Sequence, residues 1–290
     1  MSNLKEFNLV IRNQNTQAYL QDVLGEKKET FVSNLTALVS NDTKLQECKP
    51  VTLMYAALTA TALDLPLDKN LGFAYVIPYK NNRERTTEAQ FQLGAKGIKQ
   101  LAIRSGQFLA MNVTDVREGE IAGRNRMTGE MTFNWIEDDN EREKTKVVGY
   151  LAYFKLVNGF KKTKYMTVEE IKAHATRYSQ TYSSKNDYVR KNSKWATDFD
   201  KMAEKTVMKL LLSKDAPLSV DMQTAFRADQ SVQREEGKYL YSDNNGEAAK
   251  SKLTELAEDN AEGKKDDEAE YEEVNETETT ESEAHDEEVQ

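Results

Sequence analysis

Two lysine-bearing stretches carry the residue types and spacing that could do chemistry in this 290-residue chain, and that chemistry is the binding of anions. From Trp195 to Leu212, a helical repeat of about 100° per residue gathers Trp195, Phe199, Met202, Ala203, Thr206 and Leu210 on one flank. Lys194, Lys201, Lys205 and Lys209 fall in a separate stripe. Upstream, Gly94-Ala95-Lys96-Gly97 opens a second amphipathic stretch, with Lys96, Gln100 and Arg104 opposite Ile98, Leu101 and Ala102. Glycines ahead of a helix let backbone N–H groups approach a phosphate. This stretch lacks the spacing and the Lys-Ser/Thr pair of a Walker A loop, so nucleotide hydrolysis is not expected of it. A lone stripe of lysines is ordinarily a solvated face, and what gives these two more weight is how charge is distributed along the chain.

The net charge of −9 conceals two opposed regions. Residues 243–290 hold 19 Asp and Glu against 4 Lys and Arg, whereas residues 1–242 hold 36 basic and 30 acidic residues. The larger region, net +6, favours polyanions, and the acidic one favours solubility or competition for the basic surface. Few large apolar residues occur beyond Asp243, so a disordered acidic tail is expected there, with one folded domain over 1–242. The segment from Lys155 to Lys209 has 13 Lys and Arg against 6 Asp and Glu, interleaved with Phe160, Tyr165, Tyr178, Tyr182, Tyr188 and Trp195. Cations alternating with rings suit single strands, whose phosphates meet the cations and whose bases stack. Most of these rings belong to a core by type; Tyr182 and Tyr188, in a polar loop, are the ones expected to stack.

The remaining chemistry is sparse. Cys48 is the only cysteine and His174 the only histidine before the tail, which denies a disulfide, a zinc cage or a serine–histidine triad. No metal or cofactor is expected. Glu118, Glu120, Glu137, Asp138 and Asp139 could hold magnesium in a nuclease, but lie in a polar, glycine-containing segment that reads as solvated loop. There is no charged-then-apolar leader and no apolar run near 18 residues, which reads as a soluble, cytoplasmic protein without a membrane partner.

Elements that must position these residues follow from periodicity. Helices are expected over 14–24, 28–48 and 50–63, then a strand over 73–79, a return through 88–93, a helix over 94–105 and a strand over 107–116. A protruding hairpin is expected within 117–146. Strands over 147–157 and 160–166 are joined at Asn158-Gly159, and Thr167-Val168-Glu169-Glu170 opens a helix as a capping box. One long helix over 195–212 follows. The order is α+β, with a helical N-terminal part and a short antiparallel sheet.

Leu45-Gln46-Glu47-Cys48, Leu63-Asp64-Leu65-Pro66-Leu67, Gly72-Phe73-Ala74-Tyr75-Val76-Ile77-Pro78-Tyr79, Phe91-Gln92-Leu93-Gly94-Ala95-Lys96-Gly97, Leu101-Ala102-Ile103-Arg104-Ser105-Gly106 and Met202-Ala203-Glu204-Lys205-Thr206 occur in an order and spacing that carry a resemblance. The chain resembles the RecT family of phage-type single-strand annealing recombinases over roughly residues 30–220. The resemblance implies a sheet crossed by a long helix, and a protein that coats single-stranded DNA as a homo-oligomeric ring or filament and holds the annealed duplex. The resemblance further implies action without ATP and no enzymatic activity. It also implies a bacterial host cytoplasm, a 5′–3′ exonuclease partner and the host single-strand-binding protein. Carried onto this chain, the family's basic groove draws on Lys96, Arg104, Arg177 and Lys205; helical geometry adds Lys99, Lys201 and Lys209. Ala95 departs from the bulkier residue expected there, and the acidic tail lies beyond the shared region. Two other readings remain open at this point: a metal-dependent nuclease using the 118–139 carboxylates, and a regulatory protein whose acidic tail mimics DNA.

Overall fold

The computed structural model describes residues 3–81, 84–235 and 238–241, so the expected acidic tail lies outside the described residues. Helices come first: α1 (Asn3–Ile11), α2 (Gln14–Leu24), α3 (Lys28–Ser40), α4 (Thr43–Gln46) and α5 (Pro50–Ala62). The single helix expected over 28–48 is broken, because the Asp42 carboxylate accepts the N–H groups of Lys44 and Leu45 and starts a new helix. Pro50 occupies the first turn of α5, where its missing N–H costs nothing. Leu53, Met54, Ala56, Ala57, Leu58 and Ala60 are buried around that helix, as befits one that is apolar on nearly every side. Thr52, also buried, donates to Lys49 O at 2.7 Å and accepts from Ala89 N–H at 2.9 Å, which ties α5 to the sheet behind it.

That sheet contains β1 (Ala74–Asn81), β2 (Thr86–Leu93), β8 (Ser231–Glu235) and β9 (Lys238–Tyr241), antiparallel in the order β1-β2-β8-β9. Its last two strands and the helix before them, α12 (Val220–Ala228), carry too little periodicity to be read from sequence. Arg234 of β8 holds the buried Glu88 of β2 at 2.7 Å, so a long-range ion pair joins strands that are far apart in the chain. Between the two parts of this sheet run α6 (Ala95–Arg104), β3 (Phe108–Arg117), the hairpin β4 (Ile121–Arg124) and β5 (Met131–Phe133), and α7 (Asp139–Lys144). There follow β6 (Val147–Leu156), β7 (Lys161–Thr167), α8 (Val168–Tyr178), α9 (Asp187–Lys191), α10 (Lys194–Thr197) and α11 (Phe199–Asp215). Strands β3, β6 and β7 form a second antiparallel sheet, and the long α11 crosses it.

The capping box at Thr167 is present in full, with Thr167 N–H donating to Glu170 and Glu170 N–H to Thr167. The helix expected over 195–212 is instead α10 and α11, separated at Asp198, whose backbone leaves helical space at φ −136° and ψ 51°. The Asp198 carboxylate takes a bond from Thr197 at 3.1 Å and pairs with Lys194 at 2.8 Å, local bonds that compete with a continuous helix. Trp195 is core as expected, 7% exposed, with its ring 6.3 Å from Tyr182 and 5.9 Å from Phe199.

Candidate nucleic-acid interface

The start of α6 is built by close approach. A Cβ on Gly94 would stand 2.1 Å from Gly72 O, and one on Gly97 2.2 Å from Phe73 O. These glycines therefore serve backbone packing against residues 72 and 73, and the Gly94 N–H donates to Phe73 O at 2.8 Å rather than to a phosphate. The result fixes Lys96 and Lys99 on the exposed side of α6 while Ile98, Leu101 and Ala102 are buried. Lys96 lies against Gly72 with the Tyr75 hydroxyl close by, and Lys194 of α10 feels that same tyrosine.

Lys99 and Lys201, from elements about 100 residues apart in the chain, both act electrostatically on Glu204. Glu204 is half-buried, and burial raises its pKa, with Asp115 and Asp200 adding repulsion and Lys99 and Lys201 opposing it. Lys201 itself is exposed. Asp200, beside it, accepts the Tyr150 hydroxyl, which anchors the first turn of α11 to the middle of the three-stranded sheet. Lys96 thus stands exposed near Tyr75, and Lys99 and Lys201 stand exposed on two elements that both act on Glu204. Glu204 was passed over in the sequence because it stands among lysines in Met-Ala-Glu-Lys-Thr, and only the packing reveals what it faces.

Lys205 and Lys209 point elsewhere. Asp229, fully buried, accepts from Leu93 N–H at 2.8 Å and is paired with Lys209. Burial acts to raise the Asp229 pKa, yet the charges of Lys209 and Lys205, the Lys209 hydrogen bond and the Leu93 N–H outweigh it and hold the carboxylate below its usual range. Lys205 is half-buried, and its pKa is lowered chiefly by burial, with Asp229 opposing and Lys209 reinforcing the shift. Lys209 is therefore drawn inward by a carboxylate that periodicity could not see, and Lys205, one turn before it, is desolvated.

Arg104, the last residue of α6, donates to Leu63 O at 2.8 Å and to Asp64 O at 2.7 Å. It satisfies carbonyls at the end of α5, where Asp64 takes a left-handed φ of 51°. Arg177 is exposed in the last turn of α8, its guanidinium 5.3 Å from the Tyr178 ring centre. Of the two loop tyrosines, Tyr188 is 77% exposed and Tyr182 packs against Trp195.

The 118–139 carboxylates do not form a common site. Glu120, expected in solvated loop, is fully buried: it accepts from Arg142 Nε at 2.7 Å and from the N–H groups of Arg117 and Ile136. Asp138 caps α7 through Glu141 N–H. Among the described residues, no group of three or more His, Cys, Asp or Glu side chains could hold a metal ion. No described helix is long and apolar enough to cross a membrane.

Comparison with known proteins adds an independent line. The sequence model of the RecT family matches residues 29–240. A Bacillus subtilis (strain 168) protein named YqaK, described as uncharacterized, is 40% identical over 205 residues, 71% of this chain and 65% of the relative. Protein RecT of Escherichia coli (strain K12) is 26% identical over 210 residues, 70% of this chain and 71% of the relative. The chain thus spans a little under two thirds of the length of the Bacillus protein.

Proposed function

Because this chain belongs to the RecT family, we propose that it binds single-stranded DNA and anneals complementary strands during homologous recombination of phage or prophage origin. It does so without ATP, as a ring or helical filament of identical subunits, in the cytoplasm of a bacterial host. A 5′–3′ exonuclease supplies the single strand, and the host single-strand-binding protein hands it over.

The observation that supports this reading is the exposure of Lys96, Lys99 and Lys201 on α6 and α11, two of them acting on Glu204, in a chain matched to that family over most of its length. Such a surface neutralises phosphates and leaves the choice of partner strand to base pairing. Little sequence preference and no covalent step are required. Lys205, desolvated, and Lys209, already paired, contribute less phosphate binding than Lys96 or Lys201.

Annealing of two complementary labelled oligonucleotides by the full chain, in the absence of nucleotide, tests the proposal. Acceleration over the spontaneous rate, with log affinity for one strand falling by about 0.7 per phosphate contact against log salt, is expected. An absolute need for ATP, or magnesium-dependent degradation of the strands, would replace this reading with an enzymatic one.

A further inference from the structure

Lys155 of β6 and Lys161 of β7 are direct partners across the ladder. Side chains so placed stand roughly 5 Å apart at Cβ, and like charges there weaken a sheet. Glu130, at the tip of the β4–β5 hairpin, comes only to 3.8 Å from Lys161 Nζ, and Lys155 makes no ion pair among the described residues. One carboxylate, near Lys161 alone, leaves the pair positively charged. Lys162 lies against the same hairpin tip, its Nζ 3.9 Å from where a Cβ on Gly129 would stand. Residues 121–135 and 147–167 together carry Arg124, Arg126, Lys155, Lys161, Lys162 and Lys164 against Glu130 alone.

The pair faces away from α11. Alternation along β6 sends Tyr150, Ala152, Phe154 and Leu156 into the main core, where Tyr150 meets Phe199 and Asp200 of α11. Tyr153 and Lys155 therefore occupy the opposite face, together with Lys161 and Tyr165 of β7. The Tyr165 ring lies over Gly149, where a Cβ would come within 2.5 Å of it, and its hydroxyl donates to Val148 O at 3.3 Å. The half-buried Tyr153, two residues from Lys155, thus stands beside an uncompensated pair of cations, whereas Tyr165 lies four residues from Lys161 with Glu169 and Glu170 acting on it.

We propose that this face is a second nucleic-acid surface, in which the backbone of a single strand bridges Lys155 and Lys161 and a base rests on Tyr153. Charge selects a polyanion, and a flat ring beside cations selects unpaired bases over a lipid headgroup or an acidic peptide. The three-stranded sheet separates this face from Lys201, so one strand is held at the α6–α11 lysines while a second is taken up on the far side. This inference rests on the single-strand reading above.

The test compares the full chain with Lys155→Gln/Lys161→Gln and Lys155→Arg/Lys161→Arg, reading oligonucleotide affinity against salt, annealing rate and thermal melting. The glutamine pair is expected to melt at the parental temperature or about 1–3 °C above it, because a repulsion has been removed. Its salt slope should fall by roughly 0.7–1.4, and annealing should slow while the arginine pair keeps both. Parental slope and rate in the glutamine pair overturn the proposal, and so does equal loss in the two variants, which assigns the face to packing rather than charge. Failure of the glutamine pair to fold contradicts the repulsion and overturns it as well. A parental chain that binds no single strand at any salt removes the proposed function itself, a result distinct from all of these.

Discussion

Lys201 and Lys209 lie about two turns apart on one helix and meet opposite surroundings. Lys201 is exposed and shares the neighbourhood of Glu204 with Lys99, whereas Lys209 is bound to a carboxylate that solvent does not reach. The difference teaches that a lysine stripe records only where the helix is polar. Whether each cation serves a ligand or the fold depends on what the chain brings opposite it, here Asp229, 20 residues beyond Lys209.

The sharpest way to break this comparison is to remove Asp229. Asp229→Ala leaves Lys209 and Lys205 facing each other without a counter-charge and Leu93 N–H without an acceptor. We expect a loss of about 3–5 kcal/mol in chemical denaturation, the cost of breaking a buried pair from one side. A loss under about 1 kcal/mol would mean that these lysines escape to solvent and belong with Lys201.

Next in size is Gly97→Ala, whose Cβ would meet the Phe73 carbonyl oxygen at 2.2 Å. A cost of about 1–3 kcal/mol in the same measurement is expected, since backbone must move. If the variant is as stable as the parent but loses DNA, the glycine serves a phosphate after all and α6 is a ligand loop.

Acid titration separates the two regions by a third route. Asp229, Glu120 and Asp115 all have folded pKa values held below the ordinary carboxylate range. Their contribution to stability is therefore complete above about pH 4 and is lost as pH falls through the lowered folded values. Asp229→Asn should make the acid limb of a stability–pH curve shallower than the parent's. An unchanged limb would leave Asp229 without the charge role assigned here.

The smallest stability effect belongs to the exposed set. Lys96→Ala and Lys201→Ala should each change stability by less than about 0.5 kcal/mol, as surface substitutions do. Both should weaken oligonucleotide binding measured by anisotropy, and either variant unfolding would move that lysine to the inward group.

Much of the frame was legible from sequence because it rests on local rules. Pro50 at a first turn, the Thr167 box, Asn158-Gly159 and the apolar, aromatic run of β6 each fix a short element from its own residues. What escaped depends on partners distant in the chain. Strand β8 is specified by Phe91 and Glu88 of β2 rather than by its own pattern. Glu120 looked like loop because nothing near it in sequence announces Arg142, 22 residues on. The site was legible to the same degree: helix periodicity placed Lys96, Lys99 and Lys201 on exposed faces, but Arg104 and Lys209 have protein partners at α5 and Asp229. The Lys155–Lys161 pair needed strand register, which no single segment carries.

The claim that outward lysines serve DNA and inward ones serve the fold is tested most directly by the salt dependence of single-strand binding in Lys96→Ala/Lys201→Ala. The account predicts a slope of log affinity against log salt reduced by up to about 1.4, two phosphate contacts' worth, with an unfolding midpoint equal to the parent's. A parental slope, or a midpoint that falls with it, would contradict the account.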